Sequence, residues 1–200
     1  MRIISYNVNG IRARQAEVQA FIEGERPDVV CLQEIKAEPA QLPVWLVEVE
    51  GYWCYWHGGK GYSGVGLLVR KETCPERPAF YHPDFDHEHR IVTARLPSMT
   101  VASVYVPNGG KDFDAKMRFL DALDAFVADM LVEQAAKAKG LTPAKYVEEE
   151  LSRRTKPVTD GDIANFYIEN RGQMQGRSLE DIGGLIRRYL VDQRTNDART

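Results

Sequence analysis

Short apolar runs separated by turn signals fill the first 110 residues. Arg2–Val8 (RIISYNV) is a β-rich run, and Val29–Leu32 is a continuous apolar run suited to a strand covered on both faces. Between them Val18, Phe21 and Ile22 recur at helical spacing, which predicts a helix over Arg14–Ile22 stopping near Gly24, with Pro27 beyond. Trp45–Val49 reads as a second helix and Trp53–Trp56 as a strand whose aromatic rings pack in a core. The Gly-rich turn His57–Gly64 then leads into Val65–Arg70 as a hairpin. Ile91–Leu96 and Val101–Val106 are two more strands. Lys116–Leu131 is an amphipathic helix with Phe119, Leu120, Leu123, Phe126, Val127 and Met130 on one face.

From about residue 132 the strand pattern stops. Val132–Lys139, Pro143–Arg154, Asp160–Asn170 and Leu179–Arg194 all read as helices. Thr142-Pro143 is an N-cap followed by proline at the first helical position, Thr159 pairs with Asp162, and Ser178 pairs with Asp181. The change of texture predicts two segments, 1–130 and 131–200.

The 200 residues carry 26 Lys/Arg and 29 Asp/Glu, a net charge of −3. That balance is too even for a bulk field to recruit nucleic acid, so any DNA contact needs a local groove. No apolar run approaches the roughly 18 residues of a membrane span, and the N-terminus has no apolar core behind its charges, so a cytoplasmic protein is expected. Cys31, Cys54 and Cys74 lack CxxC spacing, which argues against a disulfide framework or a zinc knuckle.

The candidate chemistry lies in the first segment. Asn7 follows strand one and Glu34 follows the next buried strand, in CLQEIK. A carboxylate beside a polar neighbour, just past the ends of adjacent strands, is a seat for a hard cation that keeps waters and takes substrate phosphate. Tyr105 and Asn108 in YVPN offer a phenol and an amide to a phosphate oxygen, and Arg90 offers a bidentate fork. Lys36, near Glu34, is a candidate phosphate contact or else a solvated lysine. HGGKGYSG is no P-loop, because Gly61 follows Lys60 where Ser or Thr is required. His82, His87 and His89 interleave with Asp84, Asp86 and Glu88, and Pro83 makes this stretch a solvated acidic loop.

SYNVNGIRAR (5–14), PDVVCLQEIK (27–36), HGGKGYSGVGLLVR (57–70), HRIV (89–92), VYVPNGG (104–110) and KMRFLDAL (116–123) resemble the exodeoxyribonuclease III and AP endonuclease type of the endonuclease/exonuclease/phosphatase superfamily. The resemblance covers about residues 1–130. It implies Mg²⁺- or Mn²⁺-dependent phosphodiester hydrolysis in double-stranded DNA, at abasic sites or 3′ ends. It also implies that Glu34 and Asn7 hold the metal, and that Asn7 and Tyr105 act at the scissile phosphate. Arg90, Asn108, Lys36, Gly61 and Tyr62 would line the DNA track.

The family's GD-x-N and SDH motifs are absent. Gly161-Asp162 reads GDIAN, with Asn165 one position too far, and no histidine follows His89. Cleavage is therefore expected to be undetectable or very weak. Residues 133–190 resemble instead the helical peptide-binding segment of SurA/PrsA-type chaperones, which implies a candidate peptide partner. The alternatives to a repair nuclease are thus a helical peptide-binding module, or a junction of two unrelated sequences with no activity. The expected fold is α/β, a partial two-layer sandwich of one mixed sheet plus helices, followed by an all-α C-terminal segment. The sheet's open apolar face would need cover from helices 132–194, another chain or a dimer partner.

Overall fold

The computed structural model describes residues 1–198, so the last two residues of the expected 131–200 segment lie outside it. The chain forms two compact units, Met1–Phe126 and the residues from Val127 onward.

In the first unit, β1 (Ile3–Asn7) runs parallel to β2 (Val29–Gln33), with α1 (Gln15–Glu25) as the crossover. β4 (Val65–Arg70) pairs antiparallel with the other side of β2, and β3 (Tyr52–His57) pairs with β4, giving the order β1-β2-β4-β3. Every residue of β2 is buried, as its unbroken apolar run requires.

β5 (Ala79–Tyr81), β6 (Ile91–Arg95) and β7 (Thr100–Val104) form a second, antiparallel sheet. The α/β class and the mixed sheet agree with the sequence, but the strands divide between two sheets. Val92, Ala94 and Val101 from the second sheet share one core with Val29, Cys31, Leu67 and Val69 from the first. The face expected to need helices 132–194 or another chain is therefore covered by β6 and β7. Each fully buried Val or Leu in that layer contributes roughly 1.5–3 kcal/mol. A polar bridge fixes the register of the layers: Ser103 Oγ donates to the Leu32 carbonyl at 3.0 Å, and Gln33 Nε2 donates to Ser103 Oγ at 3.3 Å.

The opposite face of the first sheet buries Val30, Leu32 and Leu68 under Val18 and Ile22 of α1 and Leu46 of α2 (Val44–Val47). Trp56 Nε1 donates to the Leu46 carbonyl at 3.0 Å and the Tyr52 hydroxyl donates to the Pro27 carbonyl at 2.8 Å. Half-buried Tyr55 and Trp56 thus pack against the two cores as expected, whereas Trp53 lies outside both, donating to the Cys74 carbonyl with Lys71 over its ring.

Two helices run further than their sequence signals suggest. α1 passes through Gly24 and ends at Arg26, which is left-handed (φ 43°). A single glycine costs a helix only about 1 kcal/mol, whereas the α region is closed to the residue preceding Pro27. α3 spans Phe113–Ala138 without interruption, so the expected break between 131 and 132 does not exist. No Gly or Pro lies inside it, and Gly140 (φ 67°) follows its end.

The second unit adds α4 (Pro143–Arg154), α5 (Asp160–Glu169) and α6 (Leu179–Asp197). Thr142 caps α4, and Thr159 with Asp162 and Ser178 with Asp181 form reciprocal capping boxes. Val158, Ile163, Ile182, Ile186 and Leu190 make a small core. Beside it Phe166, Met174, Leu185 and Tyr189 line a shallow groove. Asp162 of GDIAN is spent on its helix cap and on Arg194 at 2.9 Å.

Candidate phosphate and metal site

The β1 and β2 chain ends leave their sheet side by side. Backbone pairing continues past the strands, with Val8 N–H on the Gln33 carbonyl at 3.0 Å and Gly10 N–H on the Glu34 carbonyl at 2.8 Å. Three residues here are left-handed: Asn9 (φ 45°), Glu34 (φ 54°) and Lys36 (φ 49°). Three non-glycine residues in that sparsely populated region within one small cluster mark a backbone held by its surroundings.

The turned backbone gathers four polar side chains. Asn7 Nδ2 donates to Glu34 Oε1 at 2.8 Å, and Asn7 Oδ1 accepts from the Asn9 N–H at 3.1 Å. Lys36 Nζ lies 2.9 Å from Glu34 Oε2 and donates to Asn9 Oδ1 at 2.6 Å. The Tyr105 phenol, just past β7, lies near enough to Glu34 for the two to shift each other's titration. Donation from Asn7, then Lys36, holds the Glu34 carboxyl below its ordinary pKa against the opposing effect of burial. Burial, then the Glu34 contact, raises the Tyr105 phenol. At neutral pH the pair is carboxylate and phenol.

Arg90 completes the arrangement. Its guanidinium lies over the Tyr105 ring at 5.0 Å, and Nη1 donates to the Tyr105 carbonyl at 3.3 Å. The Tyr105 N–H donates in return to the Arg90 carbonyl at 2.8 Å.

Asn7, Glu34 and Lys36 are therefore linked by direct contacts, as are Arg90 and Tyr105, and the Tyr105 phenol stands near Glu34. Asn108 is occupied otherwise: its Oδ1 accepts from the Gly110 N–H at 2.9 Å and closes its own turn. Gly61 (φ 83°) and the exposed Tyr62 sit at the tip of the 58–64 loop. Sequence reasoning missed Asn9, although Asn-Gly in NVNG signals a left-handed turn residue.

The expected solvated acidic loop is corrected in part. Glu88 is exposed, but the Asp86 side chain is almost fully buried, and His57, His82 and His89 pack ring against ring beside it.

Among the described residues no group of three His, Cys, Asp or Glu converges to hold a metal ion. The donors at Glu34 and Asn7 are all oxygen and amide, and a cationic ammonium already rests on Glu34 Oε2. This set fits a hard divalent cation held through one carboxylate with its waters retained, and does not fit a closed all-protein cage.

Residues 4–146 match the Endonuclease/Exonuclease/phosphatase family. Exodeoxyribonuclease III of Haemophilus influenzae is 37% identical over 136 residues, which is 64% of this chain and 51% of that protein. The exodeoxyribonuclease of Bacillus subtilis is 31% identical over 137 residues, 65% of this chain and 53% of that protein. Among solved structures, the 3′-5′ exonuclease NExo of Neisseria meningitidis superposes with a TM-score of 0.57 at 31% identity, covering 66% of this chain and 53% of that one. An AP endonuclease of Archaeoglobus fulgidus gives 0.52 at 28% identity, covering 62% and 49%. The chain spans about half the length of the curated bacterial relatives it matches. With the profile matching most of its length and the two-sheet fold shared with these nucleases, the chain belongs to the Endonuclease/Exonuclease/phosphatase family.

Proposed function

We propose that this chain is a DNA-repair nuclease-type protein that binds duplex DNA at abasic sites or 3′ ends, with Glu34 seating Mg²⁺ or Mn²⁺. The contact of Glu34 with Asn7 and Lys36, with the Tyr105 phenol nearby, is the observation that carries this reading. A bound divalent ion supplies Lewis-acid polarisation of a phosphoryl oxygen. Glu34 and Asn7 are the residues that hold it. The Tyr105 phenol keeps its proton and donates to a phosphate oxygen. Lys36 and Arg90 offset phosphate charge, Lys36 as a point charge and Arg90 as a planar fork. Asn108, Gly61 and Tyr62 meet the DNA backbone on either side.

These residues bind and orient a phosphodiester. None of them is a general base next to an attacking water, and the sequence has no GD-x-N or SDH motif. Hydrolysis by these 200 residues is accordingly undetectable or very weak. The test is Mn²⁺ titration together with binding and cleavage of a duplex containing an abasic site, for the wild type and Glu34→Ala. Cation and duplex binding that both weaken in Glu34→Ala, with little or no strand cleavage, is the expected result. Absence of cation binding by the wild type overturns the metal assignment, and robust incision overturns the claim of weak hydrolysis.

A further inference from the structure

His57 ends β3, His82 follows β5, and His89 is a left-handed residue (φ 58°) two positions before β6. The chain brings them together: the His57 and His82 rings stack at 4.0 Å and 14°, and His89 tilts against His57 at 4.6 Å. Beneath them Asp86 accepts the Arg90 N–H on both oxygens at 2.8 Å and the Ile91 N–H on Oδ2 at 2.7 Å. His57 Nε2 is buried 3.2 Å from Asp86 Oδ2, at ion-pair distance but off the hydrogen-bond line. Gly59 lies under the His89 ring so closely that a Cβ there would sit 2.9 Å from His89 Cε1.

This cluster reaches Arg90 through the backbone. Asp86 fixes the N–H groups of Arg90 and Ile91, and Arg90 in turn lays its guanidinium over Tyr105. The same loop is joined to the Glu34 side. Ser63 Oγ donates to the Glu88 carbonyl and the Gly64 N–H to the His89 carbonyl, while Ile35 and Lys36 N–H groups donate to Gly64 and Ser63 carbonyls at 3.1 and 3.0 Å.

We infer that His57 and Asp86 are a positioning pair that holds the start of β6 and aims Arg90 at Tyr105, and that the imidazoles of His82 and His89 make this hold acid-sensitive. Only the part of Arg90 in meeting DNA phosphate rests on the function proposed above. One proton on His57 strengthens its pairing with Asp86. A second, on His82 or His89, sets like charges ring against ring. Asp86 is the anion facing the cluster, since Glu88 is turned outward onto Arg90 Nε at 2.6 Å.

Burial, then the charge on His57, lowers the His89 pKa from its ordinary 6.5. A lowered folded-state pKa on a base means stability is lost as pH falls below 6.5. Burial raises Asp86, but His57 and the two N–H groups outweigh it and leave it below its ordinary 3.8. Asp86 therefore keeps its charge while His89 titrates.

The experiment is amide hydrogen exchange of the full chain by NMR from pH 7.5 to 4.5, read at Arg90 and Ile91. Their protection in the wild type is expected to fall by about tenfold as pH drops below 6.5, the equivalent of losing one charge-assisted hydrogen bond. His89→Asn, which suits a left-handed backbone, and His82→Phe, which keeps the ring stack, each move that loss to lower pH. His57→Gln lowers protection of these two amides already at pH 7.5. Protection that is independent of pH in the wild type, or a midpoint unmoved in both His89→Asn and His82→Phe, overturns the acid sensitivity. Protection unchanged at pH 7.5 in His57→Gln overturns the positioning role. Binding of an abasic-analogue duplex is measured in parallel. Should the wild type not bind it, the proposed function fails while the amide readout still decides the pair.

Discussion

Asn7 and Glu34 meet across a parallel strand pair in which Asn7 stands opposite Gln33, so the carboxylate comes from one residue beyond the register partner. It reaches the amide because the backbone at Glu34 turns left-handed. Asn7→Ala removes the leading cause of the low Glu34 pKa. The carboxyl is expected to titrate at higher pH in this variant, observable by carbon-13 NMR of the side chain. Cation binding should weaken by about tenfold, the usual cost of removing a group that orients a ligand. An unchanged titration would sink this assignment.

Lys36 occupies the same carboxylate from the other side. The pair is partly exposed, so it contributes only about 0.2–1 kcal/mol. Lys36→Ala is expected to tighten Mn²⁺ binding by a few-fold, roughly that same energy, while weakening duplex binding. Calorimetric titration of the two ligands separates the effects, and a variant that weakens both would show that Lys36 supports the cation site rather than competing for it.

Ser103 joins the two sheets through Leu32 and Gln33. Ser103→Ala leaves the buried Gln33 amide without that acceptor, and should cost about 1–3 kcal/mol in urea unfolding. A change within error of zero would mean that the layers are held by apolar packing alone.

Burial pushes the Cys31 and Cys54 thiols up to about 11. At pH 8 each should react with iodoacetamide about a hundredfold more slowly than an ordinary peptide thiol, from thiolate fraction alone. Mass spectrometry after timed alkylation gives the rates, and denaturation should remove the difference. Fast labelling of either thiol in the folded chain would contradict its placement.

Where local pattern and tertiary demand agree, the sequence is readable to the residue. β4 at Val65–Arg70 and α4 at Pro143–Arg154 have the bounds their patterns imply. The division of strands between two sheets is not readable, because period-two alternation identifies a buried face without saying what covers it. β5 is three residues long and set between Pro78 and Pro83, too short for any periodic signal. The Asn7, Glu34, Tyr105 and Arg90 contacts were legible because each residue stands at or near a strand end. Asp86 was not: its letters in HPDFDHEH look solvated, and its burial depends on two backbone N–H groups and on His57, 29 positions upstream.

The unbroken run of α3 from Phe113 to Ala138 has a consequence for dissecting the protein. The division between its two compact units falls at Phe126, inside the hydrogen-bonded turns of this helix. A protease needs extended backbone, so nicks should fall in the joints near Gly140 or Lys156 and spare residues 120–132. A gene fragment stopped at residue 126 would expose a raw helix end with four unsatisfied carbonyls. Cutting after Gly140 keeps the natural terminator and is the better place to divide the chain.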